Sequence, residues 1–436
     1  MKSSFFEQLR LAGFPLGLGL VSVLVSGTLN RVMIVEMNIP ASLVGLFFAL
    51  PLLISPLRIW LGYRSDAYPI WGLRREPLIL FGSLLAGLGV SGATLALVQT
   101  KSLSALIVGM LVLAFVAYGF GKNLSSNTFE ALLADKFVGD QRPRAVTFYK
   151  VAMFVGIMLG ALLLGRLLDP YAEMRLLVIV VSTAVGTFLL TIVSIARQEP
   201  REAAIQSESQ EARGTAFWTT FKTMIWADPQ IRRFFIFVML TVIGTLAQDV
   251  LLEPYAALVL NMSVGETTRL TAIWGAGTLL SMGAAGAWLI KRYGYVRVVR
   301  VGLLLGILTF LGLILSGALE LTTVFLLLVF FLGVSTGLSA SGMLSAVIDF
   351  TTAERAGLLM GVWGVAHNLG QAAGNLVSGT LVDIIRALQG DALTAYGLVF
   401  ALEAVLLLAA LWLLKDIKIS EARILAALRQ REPDAL

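Results

Sequence analysis

Long apolar runs separated by short polar breaks dominate the chain. Read with a window of about 19 residues, they predict helices over 12–37, 41–62, 77–99, 103–133, 146–168, 175–196, 231–258, 267–290, 300–319, 321–348, 356–383 and 394–414. A helix needs about 20 apolar residues to cross the hydrocarbon core of a bilayer, and these runs reach it. The expected fold class is therefore an all-α polytopic membrane protein with twelve transmembrane helices. The longest polar interruption, RQEPREAAIQSESQEARG from Arg197 to Gly214, falls near the middle and reads as a flexible connector. The predicted organisation is an N-terminal six-helix bundle over 1–196, a cytoplasmic connector over 197–230, a C-terminal six-helix bundle over 231–415 and a cytoplasmic tail over 416–436.

The two predicted bundles repeat each other. TLNRVMIVE (Thr28 to Glu36) lies over TLAQDVLLE (Thr245 to Glu253) at an offset of 217. Gly156, Gly160, Gly165 and Asp169 recur as Gly370, Gly374, Gly379 and Asp383 at an offset of 214, and Gly119 and Asp135 recur as Gly333 and Asp349. Several matches in order at nearly constant offset indicate a duplicated six-helix unit. Parallel repeats about an axis along the membrane normal are the plan of the major facilitator architecture. The Gly-x3-Gly steps read as packing surfaces where helices approach closely.

Composition sharpens the picture. Hydrophobic residues make up 58% of the 436 and charged residues 14%. The start lacks a short apolar core followed by a cleavage site, so the first span is expected to be retained. Of the 33 Lys and Arg, 25 fall in the ends and loops that are cytoplasmic if the N-terminus is, and five on the other side. Both termini are thus expected in the cytoplasm. The net charge of +6 follows from these basic loops and does not call for nucleic acid. With no Cys, disulfides and thiol chemistry are excluded.

Polar side chains inside the spans are the candidates for function, because they are costly at membrane depth. QDVLLEPY holds Gln248, Asp249, Glu253 and Tyr255, and its repeat on the first helix holds Asn30, Arg31 and Glu36. Asp249 and Glu253 are four apart and share a helix face, so a proton or a cation must answer them, and Arg31 is the nearest in sequence logic. Glu36 and Glu253 favour an interfacial position, whereas Arg31 and Asp249 lie a turn or more deeper. Lys122, Asn123, Asn127 and Glu130 form a second polar set, in which Lys122, like Arg58, can simply snorkel to the surface. His367, the single histidine, is more often a satisfied polar residue than a magnesium ligand. The loop GYRSDAYPIWGLRR supplies a candidate cytoplasmic gate: Gly62, Arg64, Asp66, Gly72, Arg74 and Arg75. Its glycines permit a tight turn and its charges can hold neighbouring helix ends. Phe217 to Trp226 reads equally as an interfacial helix or as the entry to the seventh span. The chain carries no phosphate-binding loop, metal-ligand cluster or activated nucleophile, so an enzyme is not expected.

GTLNRVMIVE with IPASLVG, then SPLRIWLGYRSD, then QDVLLEPY resemble the PucC/LhaA family, the bacteriochlorophyll delivery branch of the major facilitator superfamily. The resemblance runs across nearly all twelve spans. Ala256 and Ala257 stand where the family pattern has glycines. The resemblance implies an assembly factor for light-harvesting complexes, with bacteriochlorophyll or chlorophyll as bound cargo. It further implies antenna apoproteins as partners, the pigment synthase as a further candidate partner, and a bacterial inner or photosynthetic membrane as the location. Asn30, Arg31, Glu36, Gln248, Asp249, Glu253, Tyr255 and His367 would then contact pigment or partner. Two other readings stay open on the residues alone: a proton-coupled transporter of a small solute, and a pigment-free scaffold for antenna subunits.

Overall fold

The computed structural model describes residues 5–55, 73–99, 103–137, 141–199, 229–350 and 356–417. Each predicted span carries a helix among them. In chain order these are α1 (Phe6–Glu36), α2 (Ala41–Leu53), α3 (Glu76–Val98), α4 (Ala105–Lys136), α5 (Gln141–Leu167) and α6 (Glu173–Ile195). The second set is α7 (Pro229–Leu246, continued through Ala247–Val250 and Leu252–Leu260), α8 (Val264–Ala284, continued to Tyr293), α9 (Tyr295–Ala318), α10 (Thr322–Phe350), α11 (Ala356–Gln389) and α12 (Ala392–Leu414). Ten helical stretches among the described residues are long and apolar enough to cross a membrane. The gate-loop residues Gly62, Arg64, Asp66 and Gly72, the Phe217–Trp226 segment and residues 418–436 of the C-terminal tail lie outside the described residues.

Among the described residues Phe5–Leu11 is already helical, ahead of the predicted start at 12. Hydropathy missed this turn because polar contacts hold it: Glu7 pairs with Lys136, and Arg10 donates to the Ala196 carbonyl at 2.9 Å. At the head of α3, Glu76 and Pro77 occupy the first turn, where an acid meets the helix dipole and proline loses no hydrogen bond. Glu199 accepts from the Arg74 and Arg75 N–H groups, each at 2.8 Å, while Glu76 accepts from the Arg197, Gln198 and Glu199 N–H groups at 3.2, 2.6 and 2.8 Å. Each carboxylate thereby satisfies the orphan donors of the other's segment. Arg75 also pairs with Asp135 at 3.0 Å.

The chain packs into two compact units. The first is Met1–Ser207 with Asp249–Gly275 and Asn375–Tyr396; the second is Glu208–Gln248, Ala276–Gly374 and Gly397–Leu436. In the first, the rings of Phe14, Phe129 and Tyr149 pack tilted against one another in the core with centroids 4.6 and 5.3 Å apart, and Gly82 and Gly89 let α3 and α4 meet backbone to backbone. In the second, Gly302 and Gly306 of α9 admit Ser339 and Ser335 of α10. Ser335 Oγ donates to the Gly302 carbonyl at 2.7 Å.

The repeated glycines are indeed contact points, and their contacts repeat as well. Gly156 and Gly160 of α5 lie against Leu16 and Leu20 of α1, while Gly370 and Gly374 of α11 lie against Val242 and Ala247 of α7. Gly165 meets Gly265 at the head of α8, and Gly379 meets Ala41 at the head of α2. One turn further on, Asp383 accepts from the Ala41 and Ser42 N–H groups at 2.9 and 2.7 Å, and Asp169 accepts from the Ser263 hydroxyl at 3.3 Å. Sequence duplication has thus produced structural duplication: Gly-x3-Asp at the end of α5 or α11 holds the start of α8 or α2.

Candidate functional site

Helix α1 departs from regular α geometry where its polar residues sit. It is π-helical over Leu24–Leu29 and again over Val32–Glu36, leaving Asn30 and Arg31 between. In α7 the repeat-related stretch is a 3₁₀ turn at Ala247–Val250. Irregular turns of this kind recur at functional sites, because they free backbone groups and re-aim side chains.

The widened turn decides the partner of Arg31. In a π turn residue i lies over i+5, so Arg31 meets Glu36 and forms an ion pair with it. Its other terminal nitrogen donates to the Met262 carbonyl at 3.3 Å. The expected pairing of Arg31 with Asp249 does not form: the guanidinium is spent on its own helix and on the α7–α8 turn. Glu36 is one-third exposed. Glu253 is buried inside the protein, only 6% exposed.

Asn30, fully buried, bridges the two helices. Its Nδ2 donates to the Asp249 carbonyl at 3.0 Å and to Glu253 Oε2 at 3.4 Å. Thr271 of α8 donates to Glu253 Oε1 at 3.3 Å, and Thr28 lies 3.3 Å from Thr268, hydroxyl to hydroxyl. Tyr255 is fully buried, its ring 6.0 Å from that of Tyr396. Gln248 is buried and Asp249 half-buried. His367 lies in the other compact unit, its ring 5.4 Å from that of Trp363. In the second polar set, Asn123 donates to the Pro51 carbonyl at 2.9 Å, Lys122 lies over the Tyr118 ring at 5.6 Å, and Glu130 pairs with Lys150 at 3.2 Å.

The model of the family described as PUCC protein matches residues 28–422. The chain belongs to that family. It is 32% identical to Protein PucC of Cereibacter sphaeroides, over 91% of this chain and 89% of that one. It is also 32% identical to the Bacteriochlorophyll synthase 44.5 kDa chain of Rhodobacter capsulatus, over 94% and 95%. Solved structures share the fold at low identity. The nucleoside transporter NupG, as a point mutant, superposes with a TM-score of 0.75 at 13% identity, covering 94% of this chain and 99% of that one. A bacterial homologue of the lysosomal transporter Spinster, inward-facing and unoccupied, gives 0.73 at 14%, covering 96% and 97%. The fold of this family member is therefore the major facilitator fold.

Several contributors escaped the sequence reading. Thr28, Thr268 and Thr271 look like ordinary helix residues in an apolar run, and only the packing of α1 and α7 against α8 reveals them. Tyr171, between α5 and α6, was also missed. Its hydroxyl is buried, which pushes its pKa up to about 12, with the charges of Glu173 and Glu36 adding to the rise.

Proposed function

We propose that this protein is an assembly factor for photosynthetic light-harvesting complexes that holds bacteriochlorophyll or chlorophyll and delivers it to antenna apoproteins in the membrane. The observation that carries the reading is family membership with relatives named PucC and a bacteriochlorophyll synthase chain. The patch formed by Asn30, Asp249, Glu253 and Thr271 supports it chemically. It offers a buried carboxamide oxygen with no hydrogen-bond partner at Asn30 and the carboxylate oxygens of Glu253. Chlorin esters would accept from the Asn30 amide and the Thr271 hydroxyl that line it. The protein's own part is binding, orientation and exclusion of water, without catalysis. Tyr255 would wall the patch with an aromatic face, and Gln248 and His367 are further candidates for contact with pigment or partner. The setting is a bacterial inner or photosynthetic membrane, with both termini cytoplasmic and antenna apoproteins, and the pigment synthase, as partners.

Deletion in the native organism tests this. The account expects assembled antenna to fall while free pigment synthesis continues, and restoration by the wild-type gene. Normal antenna under strong pigment demand overturns it.

A further inference from the structure

Glu253 is nearly inaccessible, yet its contacts among the described residues are neutral: the Asn30 amide, the Thr271 hydroxyl and its own N–H. The charged groups of the elements around it do not answer it. Arg31 on α1 is committed to Glu36 and the Met262 carbonyl. On α8, Arg269 lies against Gly165, and Glu266 accepts from the Ser263 N–H at 2.8 Å. Asp383 on α11 holds the α2 N–H groups, and Asp249, one turn earlier on α7, is acidic itself. An ionised carboxylate in such surroundings is expensive unless a positive charge joins it.

The surroundings are built to receive one. The 3₁₀ turn of α7 leaves the Asp249 carbonyl to Asn30 rather than to a regular helical ladder. The Asn30 Nδ2 group, the positive end of a carboxamide, points at that carbonyl and at Glu253 Oε2 together. The Asn30 Oδ1 atom is buried with no donor. Rotating the carboxamide would exchange nitrogen for oxygen and add a ligand to Glu253, the Asp249 carbonyl and Thr271 Oγ1. Interrupted membrane helices use freed carbonyls in this way to coordinate small cations.

We propose that Glu253, Asn30, Thr271 and the Asp249 carbonyl form a binding site for one small monovalent cation, a proton or a sodium ion. The two sources share the same chemistry, one exchangeable positive charge on Glu253, and differ in what must be titrated. The site shares Asn30, Glu253 and Thr271 with the proposed pigment patch, but its test reads proton or sodium occupancy on pigment-free protein, so failure of the site and failure of pigment delivery are distinguishable.

The experiment is infrared difference spectroscopy and radioactive sodium binding on the purified full-length protein in detergent. In the proton case a carboxylic-acid carbonyl band is present at neutral pH, bleaches as pH rises, and is missing from Glu253→Gln. In the sodium case about one ion binds per chain, competing with protons, and affinity falls at least about tenfold in Glu253→Gln and Asn30→Ala, equivalent to about 1.4 kcal/mol. Thr271→Val keeps the side-chain shape and removes one donor, so it should shift the midpoint of whichever signal appears even if Glu253→Gln folds poorly. Glu253 ionised across the whole titration with no sodium bound, or midpoints unmoved by Thr271→Val, overturns the proposal.

Discussion

At the residue scale, the Arg31–Glu36 pair carries the sharpest expectation. Arg31 is buried and its terminal nitrogens are spent on Glu36 and Met262, so removing Glu36 strands a guanidinium in low dielectric. An uncompensated charge of this kind costs roughly 2.5–3.5 kcal/mol on insertion scales. Arg31→Ala and Glu36→Ala should each lower the melting temperature of the purified protein, and the double change should cost less than the sum. Arg31→Ala combined with Asp249→Ala should instead be close to additive, because the guanidinium is held by Glu36 and Met262 rather than by Asp249. Melting curves for the two cycles decide between these pairings. The sequence made the polar residues visible but not their partners. An α-helical reading puts Arg31 over residue 35, and only the π turn puts it over Glu36.

At the element scale, close approach and end-capping combine at the head of α2. A Cβ on Gly379 would meet the Ala41 carbonyl, and one on Gly45 would meet the Asn375 carbonyl, so Gly379→Val should abolish accumulation of folded protein, whereas the open Gly92 should accept Ala freely. Asp383→Ala removes both acceptors of the α2 N–H groups and should cost about 1–2 kcal/mol, in the range of a lost helix cap. Asp169→Ala, which loses one long contact, should cost less. Expression level and thermal stability of the four variants check the order. The repeat was legible in the spacing of these glycines and aspartates, and so was their packing role. What spacing could not show is that each aspartate reaches the end of a helix in the other half of the sequence, a contact between residues more than 340 positions apart in the case of Asp383 and Ala41. The Glu76–Glu199 clasp was hidden for a related reason, since both acids lie at polar helix ends where charge is unremarkable.

At the scale of the whole molecule, hydropathy located the helices traced among the described residues because a bilayer requires every backbone polar group to be satisfied within the segment. The orientation rests on the Lys and Arg asymmetry, and reporter fusions test it: fusions after Thr100 and Gly265 should report the outer side, and fusions after Gly139 and Gly214 the cytoplasm. A reversed pattern at any two refutes the topology. In the proposed function this fold, shared with solved transporters, holds a chlorin for antenna assembly. The most direct measurement is the absorption spectrum of the tagged protein purified from its native photosynthetic membrane, compared with that of the Asn30→Ala, Glu253→Gln double variant. The account predicts a chlorin band that accompanies the wild-type protein and is strongly reduced in the variant at equal protein yield. A wild-type protein that purifies without pigment, or a band unchanged by the two substitutions, would contradict it.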